Sequence, residues 1–205
     1  QPVILSTITL DMVAVLFGGA VALLPVYATD VLGVGATGFG WMRAMPSLGA
    51  ITMGLALALL PPMRKAGRAM LVAVAAFGLA TIVFGLSTSY PLSLMALFCI
   101  GAADNVSVVV RSTVLQLLTP DSMRGRVAAV NAVFIGTSNE IGELESGVVA
   151  SLIGSVATVA LGGVLTLVTV GAAALIWPPL RRLGALEDLE PPADGEAAPS
   201  TPLRL

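Results

Sequence analysis

The sequence predicts an all-α membrane protein with six transmembrane helices, and two properties carry this prediction. Hydrophobic residues make up 57% of the chain and charged residues only 11%. Soluble domains carry roughly 25% charged residues, so most of this chain cannot be water-facing surface. The apolar residues also form runs long enough to cross a bilayer, and short polar or glycine-rich segments separate these runs.

The predicted spans follow one another with short connections. They cover residues 3–27, 39–60, 69–86, 92–118, 127–153 and 158–177, within a transmembrane domain of residues 1–182. The interruptions read "ATDVLGVGATG", "PPMRKAGR", "STSYP", "TPDSMRGR" and "GSVA". Residues 183–205 are acidic and rich in Pro and Ala. That composition cannot build a packed core and predicts a disordered cytoplasmic tail.

The basic residues predict the orientation of the spans. They lie after the second, fourth and sixth spans, whereas the loops after the first, third and fifth contain no Lys or Arg. Cytoplasmic loops carry an excess of Lys and Arg, so both ends of the chain are predicted to be cytoplasmic, in a plasma membrane. The residues concerned are Arg64, Lys65, Arg68, Arg124, Arg126, Arg181 and Arg182.

Composition excludes several classes of function. The net charge of −2 argues against a nucleic-acid partner. The chain contains no His, which excludes His-based triads and His-ligated zinc. Cys99 is the single cysteine and lies in the apolar run "LMALFCIGAAD", so it predicts a buried, inert thiol. We predict no metal and no cofactor.

Charged residues inside the predicted spans point to an interior polar path. Each would cost roughly 2.5–3.5 kcal/mol at the centre of a lipid-exposed helix. They must therefore face the bundle interior, a water-filled cavity or one another. They are Asp11, Arg43, Asp104, Arg111, Glu140, Glu143 and Glu145.

Spans four and five each carry a polar stripe. Asp104 and Arg111 are about two helical turns apart and share a face. Glu140 and Glu143 also share a face. Facing stripes would line a substrate or proton path, because carboxylates in a water-poor cavity can take up and release protons. The candidate path residues are Glu140, Glu143, Asp104, Arg111, Asp11, Asn105 and Asn139. Ion pairs that only hold the bundle together are the alternative.

The loops resemble a known family. "TPDSMRGRVAAVNAVF" contains a Pro-x-x-x-Arg-Gly-Arg pattern, with Pro120, Arg124, Gly125 and Arg126. The pattern resembles the loop between helices ten and eleven of the major facilitator superfamily, in the branch of drug and siderophore exporters typified by the enterobactin exporter. "LLPVYATDVLGVGATG" is similar to helices seven and eight of that branch. Thr119 is expected to cap the helix that follows it.

A second loop carries the same resemblance. "PPMRKAGRAM" is similar to the superfamily's cytoplasmic loop motif between helices two and three, in its second copy, and it keeps Lys65, Gly67 and Arg68. Arg64 stands where that motif usually has Asp. The resemblance implies that these six spans form the C-terminal half of a twelve-helix bundle. An N-terminal six-helix half and the lipid bilayer would be its partners, and the missing initiator Met predicts a fragment.

The resemblance implies a secondary transporter in a bacterial inner membrane. It would export a small molecule by proton antiport and alternating access. Spans one, two, four and five would line the cavity, and spans three and six would be peripheral. The acidic stretch "NEIGELESG" departs from the branch and predicts a subgroup with its own substrate. A half-size membrane scaffold is an alternative. An intramembrane aspartyl protease is a weaker one, because Asp104 lacks the usual Gly-x-Gly-Asp context.

Overall fold

The computed structural model describes residues 21–60, 65–117, 119 and 121–176, and this part of the chain is helical. A short helix α1 (Leu24–Val26) continues into a π-helical turn, Tyr27–Val31. Five long helices follow: α2 (Ala36–Leu59), α3 (Ala66–Leu86), α4 (Tyr90–Leu117), α5 (Arg124–Ile153) and α6 (Ser155–Ile176). A 3₁₀ turn, Asp121–Met123, precedes α5.

Four helices are long and apolar enough to cross a membrane, namely α2, α3, α4 and α6. The all-helical class is therefore confirmed, and four of the six predicted spans correspond to helices that could cross a membrane. α5 has 30 residues, but it includes Arg124, Arg126 and the three glutamates of the acidic stretch, and it fails the same test of composition. Most of the predicted first span, with Asp11, lies outside the described residues.

The helices begin a few residues before the predicted spans. α2 begins at Ala36, α3 at Ala66 and α5 at Arg124, because a helix continues past its apolar run into the polar ends. Of the predicted "GSVA" connection, only Gly154 lies outside the helices. Its φ of 86° lies in the left-handed region, which glycine adopts at no steric cost. A single residue therefore joins α5 to α6.

The helices pack in a definite order. α4 lies against both α2 and α3, and α3 also lies along α6, whereas α5 contacts mainly α6 and does so less extensively. In the most apolar stretch of α3, half of the residues are buried, whereas in that of α2 only 11% are buried. Within this chain α3 is therefore the most enclosed of these helices. The expectation that span three is peripheral concerns the twelve-helix bundle and stays a prediction.

Glycines set the close helix contacts. A Cβ added at Gly49 of α2 would collide with the backbone carbonyl of Phe98, and one at Gly101 of α4 would collide with that of Pro46. Between α3 and α6, a Cβ at Gly163 would come within 2.7 Å of the carbonyl oxygen of Gly78. Small residues let membrane helices approach where lipid gives no hydrophobic drive for association. We call these two contacts the α2–α4 seam and the α3–α6 seam.

Two tyrosines tie together the helix ends that are predicted to face the outside. Tyr27 is fully buried, and its hydroxyl donates to the carbonyl oxygen of Gly85 at 2.7 Å. Its ring stacks on Phe84 with 4.7 Å between the centroids. The Tyr90 hydroxyl donates to the carbonyl oxygen of Gly38 at 3.1 Å. These bonds link the π-helical turn to α3 and α4 to α2.

Thr119 does not cap α5. Its hydroxyl donates to the carbonyl oxygen of Leu115 at 2.5 Å, so it satisfies a carbonyl at the end of α4 instead. α5 begins after Met123, which provides no side-chain cap. The prediction was wrong because a Thr can bond back to the preceding helix as readily as forward to the next.

Cys99 is exposed, so the prediction of a buried thiol is also wrong. It shares a face of α4 with Leu92 and Met95, which are 47% and 61% exposed. In a soluble protein an apolar run indicates core. In a membrane helix the lipid-facing side is equally apolar, so the run alone could not predict burial.

Candidate functional site

A cavity of about 180 Å³ lies among the end of the first span and helices α2, α3, α4 and α5. Its lining combines apolar side chains with two carboxylates and one amide. The lining residues are Val21, Ala22, Pro46, Phe77, Ile100, Gly101, Asp104, Asn139, Gly142 and Glu143.

The α2–α4 seam forms one wall of the cavity. Pro46 lies inside α2 and has no N–H to donate to the preceding turn, and its own carbonyl packs against Gly101. On α4 the cavity is lined by Ile100, Gly101 and Asp104, which fall within about one helical turn. The close backbone contact therefore fixes where Asp104 stands relative to α2.

α5 supplies the opposite polar group. Asn139, Gly142 and Glu143 have the spacing of one helix face. Glu143 and Asn139 are exposed on the described part of the chain, whereas Asp104 is half-buried. The cavity therefore opens towards α5, with one carboxylate from α4 and one from α5. No Lys or Arg lines it among the residues that the structure describes.

Not every predicted path residue reaches this cavity. Asn105 turns towards α2, where its Oδ1 lies 3.5 Å from the position of a Cβ on Gly54, and that buried oxygen has no hydrogen-bond partner within the described ranges. Arg111 is buried in α4 but does not line the cavity, and Glu140 is exposed on α5 away from it. The two stripes therefore meet through Asp104, Asn139 and Glu143 alone. The pathway role of every candidate stays a prediction.

The loop motif residues lie at the helix ends predicted to be cytoplasmic. The Arg124 Nε donates to the carbonyl oxygen of Gln116 at 3.2 Å and so links the start of α5 to the end of α4. Gly67 is buried at the start of α3, beside the exposed Lys65 and Arg68. Gly125 and Arg126 are exposed. Arg64 and Pro120 lie outside the described residues.

Sequence reasoning missed Phe77. It lines the cavity from α3, a helix that carries no charge inside its apolar run and was expected to be peripheral. No local signal distinguishes Phe77 from Phe84 or other apolar residues of α3. Pro46 did offer a signal, since a proline inside a helix often marks a place where the backbone is adapted to its surroundings.

Among the described residues, no group of three or more His, Cys, Asp or Glu could hold a metal ion. Asp104 and Glu143 are the two carboxylates of the cavity. Charge pairing and proton exchange are the chemistry that this arrangement offers.

Comparison with known proteins gives one result over almost the whole chain. A family model described as "transmembrane secretion effector", a branch of the major facilitator superfamily, matches residues 4–197. No curated protein sequence matches the chain. The family match includes all six predicted spans except the first residue of span one.

Proposed function

The chain belongs to the transmembrane secretion effector family, and from this premise we propose that it forms part of an exporter that exchanges a small molecule for protons. The family and the apolar helices make it a multi-pass membrane protein of a transport family rather than an enzyme family. Exchange, outward direction and proton coupling are the proposed elements. Asp104 and Glu143, the two carboxylates in one cavity, support them best.

The position of the two carboxylates matters for this proposal. Asp104 lies near the midpoint of α4, and Glu143 lies in the central part of α5. Carboxylates at such depth are costly unless they face a cavity or a partner, and in transport proteins they commonly take part in proton relays. The cavity gives both groups a common space in which a proton and a substrate could compete.

The wider arrangement follows from the family and from the charge pattern. We propose that a further six-helix half completes the bundle and that the two halves rock about the cavity in alternating access. The basic loops favour cytoplasmic ends in a bacterial inner membrane. Glu140, Arg111 and Asn105, which do not line the cavity, stay candidate path residues. Asp11 also stays a candidate and lies outside the described residues.

Proton flux in proteoliposomes tests the function. The protein, expressed from its complete gene, would be reconstituted around the pH-sensitive dye pyranine and exposed to small organic cations, anions and neutral molecules. We expect at least one class to drive proton movement, and we expect Glu143→Gln and Asp104→Asn to abolish it, because an amide cannot release a proton.

Glu145→Gln provides the matched control for this experiment. Glu145 lies on the same helix as Glu143 but does not line the cavity, so its variant should keep the wild-type flux. Absence of flux from every class of molecule would contradict the function. Full flux in both carboxylate variants would contradict the roles of Asp104 and Glu143.

A further inference from the structure

We propose that the cavity selects a small organic cation with an apolar body, held by Asp104, Glu143 and Phe77. This inference rests on the proposed function and names the class of its substrate. Two observations on the cavity carry it: the charge of its lining and the aromatic ring contributed by α3.

The charge of the lining is one-sided. Asp104 and Glu143 come from two different helices and line the same space, while no Lys or Arg lines it in the part of the chain that the structure describes. An organic anion would meet two carboxylates in a medium where like charges repel strongly. A cation would be attracted by both. Protons could replace the cation on the same oxygens, which matches an exchange of one for the other.

Phe77 adds a group that suits the same ligand. Aromatic faces attract ammonium groups within about 6 Å of the ring centroid, and the attraction increases when the pair is desolvated. The remaining lining is mostly apolar, with Val21, Pro46 and Ile100. This combination fits a quaternary or protonated nitrogen that carries a hydrocarbon group. A metal cation would find no such match with the ring and the aliphatic side chains.

The volume enclosed by the described residues guides the choice of a probe. The cavity measures about 180 Å³, below the roughly 300–1,000 Å³ of sites that hold drug-sized molecules. A single-ring ammonium compound fits within this space and carries both a charge and an apolar body. Phenyltrimethylammonium is therefore the probe of choice, because its charge is permanent and does not change with pH.

Binding of three matched probes tests the inference on the purified protein, expressed from its complete gene. Radiolabelled phenyltrimethylammonium would be compared with neutral tert-butylbenzene, which has nearly the same shape, and with anionic benzoate. We expect the cation to bind at least about tenfold more tightly than either analogue, because two carboxylates face it. Equal or tighter binding of tert-butylbenzene or benzoate would overturn the proposal.

Variants locate the binding in this cavity. Glu143→Gln and Phe77→Leu should each weaken binding of the cation about tenfold, while Phe77→Tyr should retain most of it. The matched controls are Glu145→Gln and Phe134→Leu, which change a glutamate and an exposed phenylalanine of α5 that do not line the cavity. If the controls weaken binding as much as the cavity variants do, the cation binds elsewhere and the proposal fails.

Two further readouts keep the outcomes separate. Gel filtration and circular dichroism identify a variant that has not folded. If Phe77→Leu has not folded, the loss of binding in Glu143→Gln decides the result. Pyranine flux on the same preparations separates the substrate class from the transport function. Benzoate-driven flux that needs Glu143 would overturn the cation proposal and leave the transporter intact. Absence of flux from all probes, with cation binding retained, would support the site and contradict the transporter.

Discussion

The helix seams and α5 both contain glycines, but the glycines of the seams pack against another helix and several of those of α5 do not. At the α2–α4 seam, Gly49 and Gly101 are so close to opposing backbone that neither could carry a Cβ without a shift. On α5, Gly136 and Gly147 have nothing within 4 Å of the Cβ position. Only Ser138, Gly142 and Ser146 of α5 are buried among the described residues. A glycine in these helices therefore does not by itself indicate a helix contact.

The exposed side of α5 has a mixed chemistry. Its apolar side chains are the majority, with Val133, Leu144 and Leu152 at 67%, 69% and 77% exposed, and Glu140 and Glu143 are also exposed. The seams, in contrast, are apolar and closely packed. Glu143 therefore reaches the cavity from a helix with few packing contacts in this chain, whereas Asp104 stands on the closely packed α4.

Replacement of a seam glycine and of an α5 glycine by leucine should give the largest difference in the free energy of unfolding. Gly49→Leu would force α2 away from the carbonyl of Phe98 and should lower the free energy of unfolding by about 3 kcal/mol or more. Gly136→Leu, which meets open space, should be neutral or up to about 1 kcal/mol stabilising, since Leu favours helix. Unfolding in SDS, followed by circular dichroism, measures both. Equal losses would remove the distinction between seam and α5.

Truncation of leucine should give the next largest effect. Leu97 of α4 is fully buried and Leu144 of α5 is 69% exposed. Leu97→Ala should cost about 2 to 4 kcal/mol through the cavity it leaves, whereas Leu144→Ala should stay within about 0.5 kcal/mol. The same SDS unfolding assay applies. A cost for Leu144→Ala that matches Leu97→Ala would mean that α5 is covered by a partner under the assay conditions.

Removal of one hydroxyl should have a smaller effect. Tyr27→Phe leaves the buried carbonyl of Gly85 without its 2.7 Å hydrogen bond and should cost about 1 to 2 kcal/mol. Tyr90→Phe removes a longer, partly exposed bond to Gly38 and should cost less than about 1 kcal/mol. Thermal unfolding in detergent, monitored by far-ultraviolet circular dichroism, ranks the two variants. The reverse order would show that the stack of Tyr27 on Phe84 carries the stability without the hydroxyl.

Single cysteine substitutions, which should disturb the structure least, test which side of α5 contacts water. In a Cys99→Ser background, Glu140→Cys and Leu144→Cys should both keep the fold, because both positions are exposed. Glu140→Cys should react about tenfold faster with a charged methanethiosulfonate reagent, since a thiolate forms readily in water and poorly in apolar surroundings. Labelling is measured by mass spectrometry on membranes. Equally slow labelling would place Glu140 in an apolar environment and argue against its predicted role in the path.

The sequence predicted where the helices lie better than it predicted what each side of a helix contacts. Apolar runs with polar punctuation gave the positions of α2, α3, α4 and α6, and the loop patterns gave the family. Spacing on α5 and charge on α4 gave Glu143 and Asp104, which the structure brings to one cavity. Phe77 and Cys99 could not be assigned, because a helix that is apolar on every side carries no periodicity to separate lipid from protein. Hydropathy measures transfer from water, and it does not report which apolar surface receives the side chain.

Because a single residue, Gly154, joins α5 to α6, a tilt of α5 about this point would displace most the residues that lie farthest from it. Glu143 lies eleven residues before Gly154, about 16 Å along a helix that rises 1.5 Å per residue. A tilt of about 10° around this point would therefore shift Glu143 by about 3 Å relative to α4, while the neighbouring turn at Ile153 would hardly move. The distance between the carboxylates of Asp104 and Glu143 is thus more sensitive to the angle of α5 than any contact near the link. Small rotations at one end of the helix become changes in the width of the cavity.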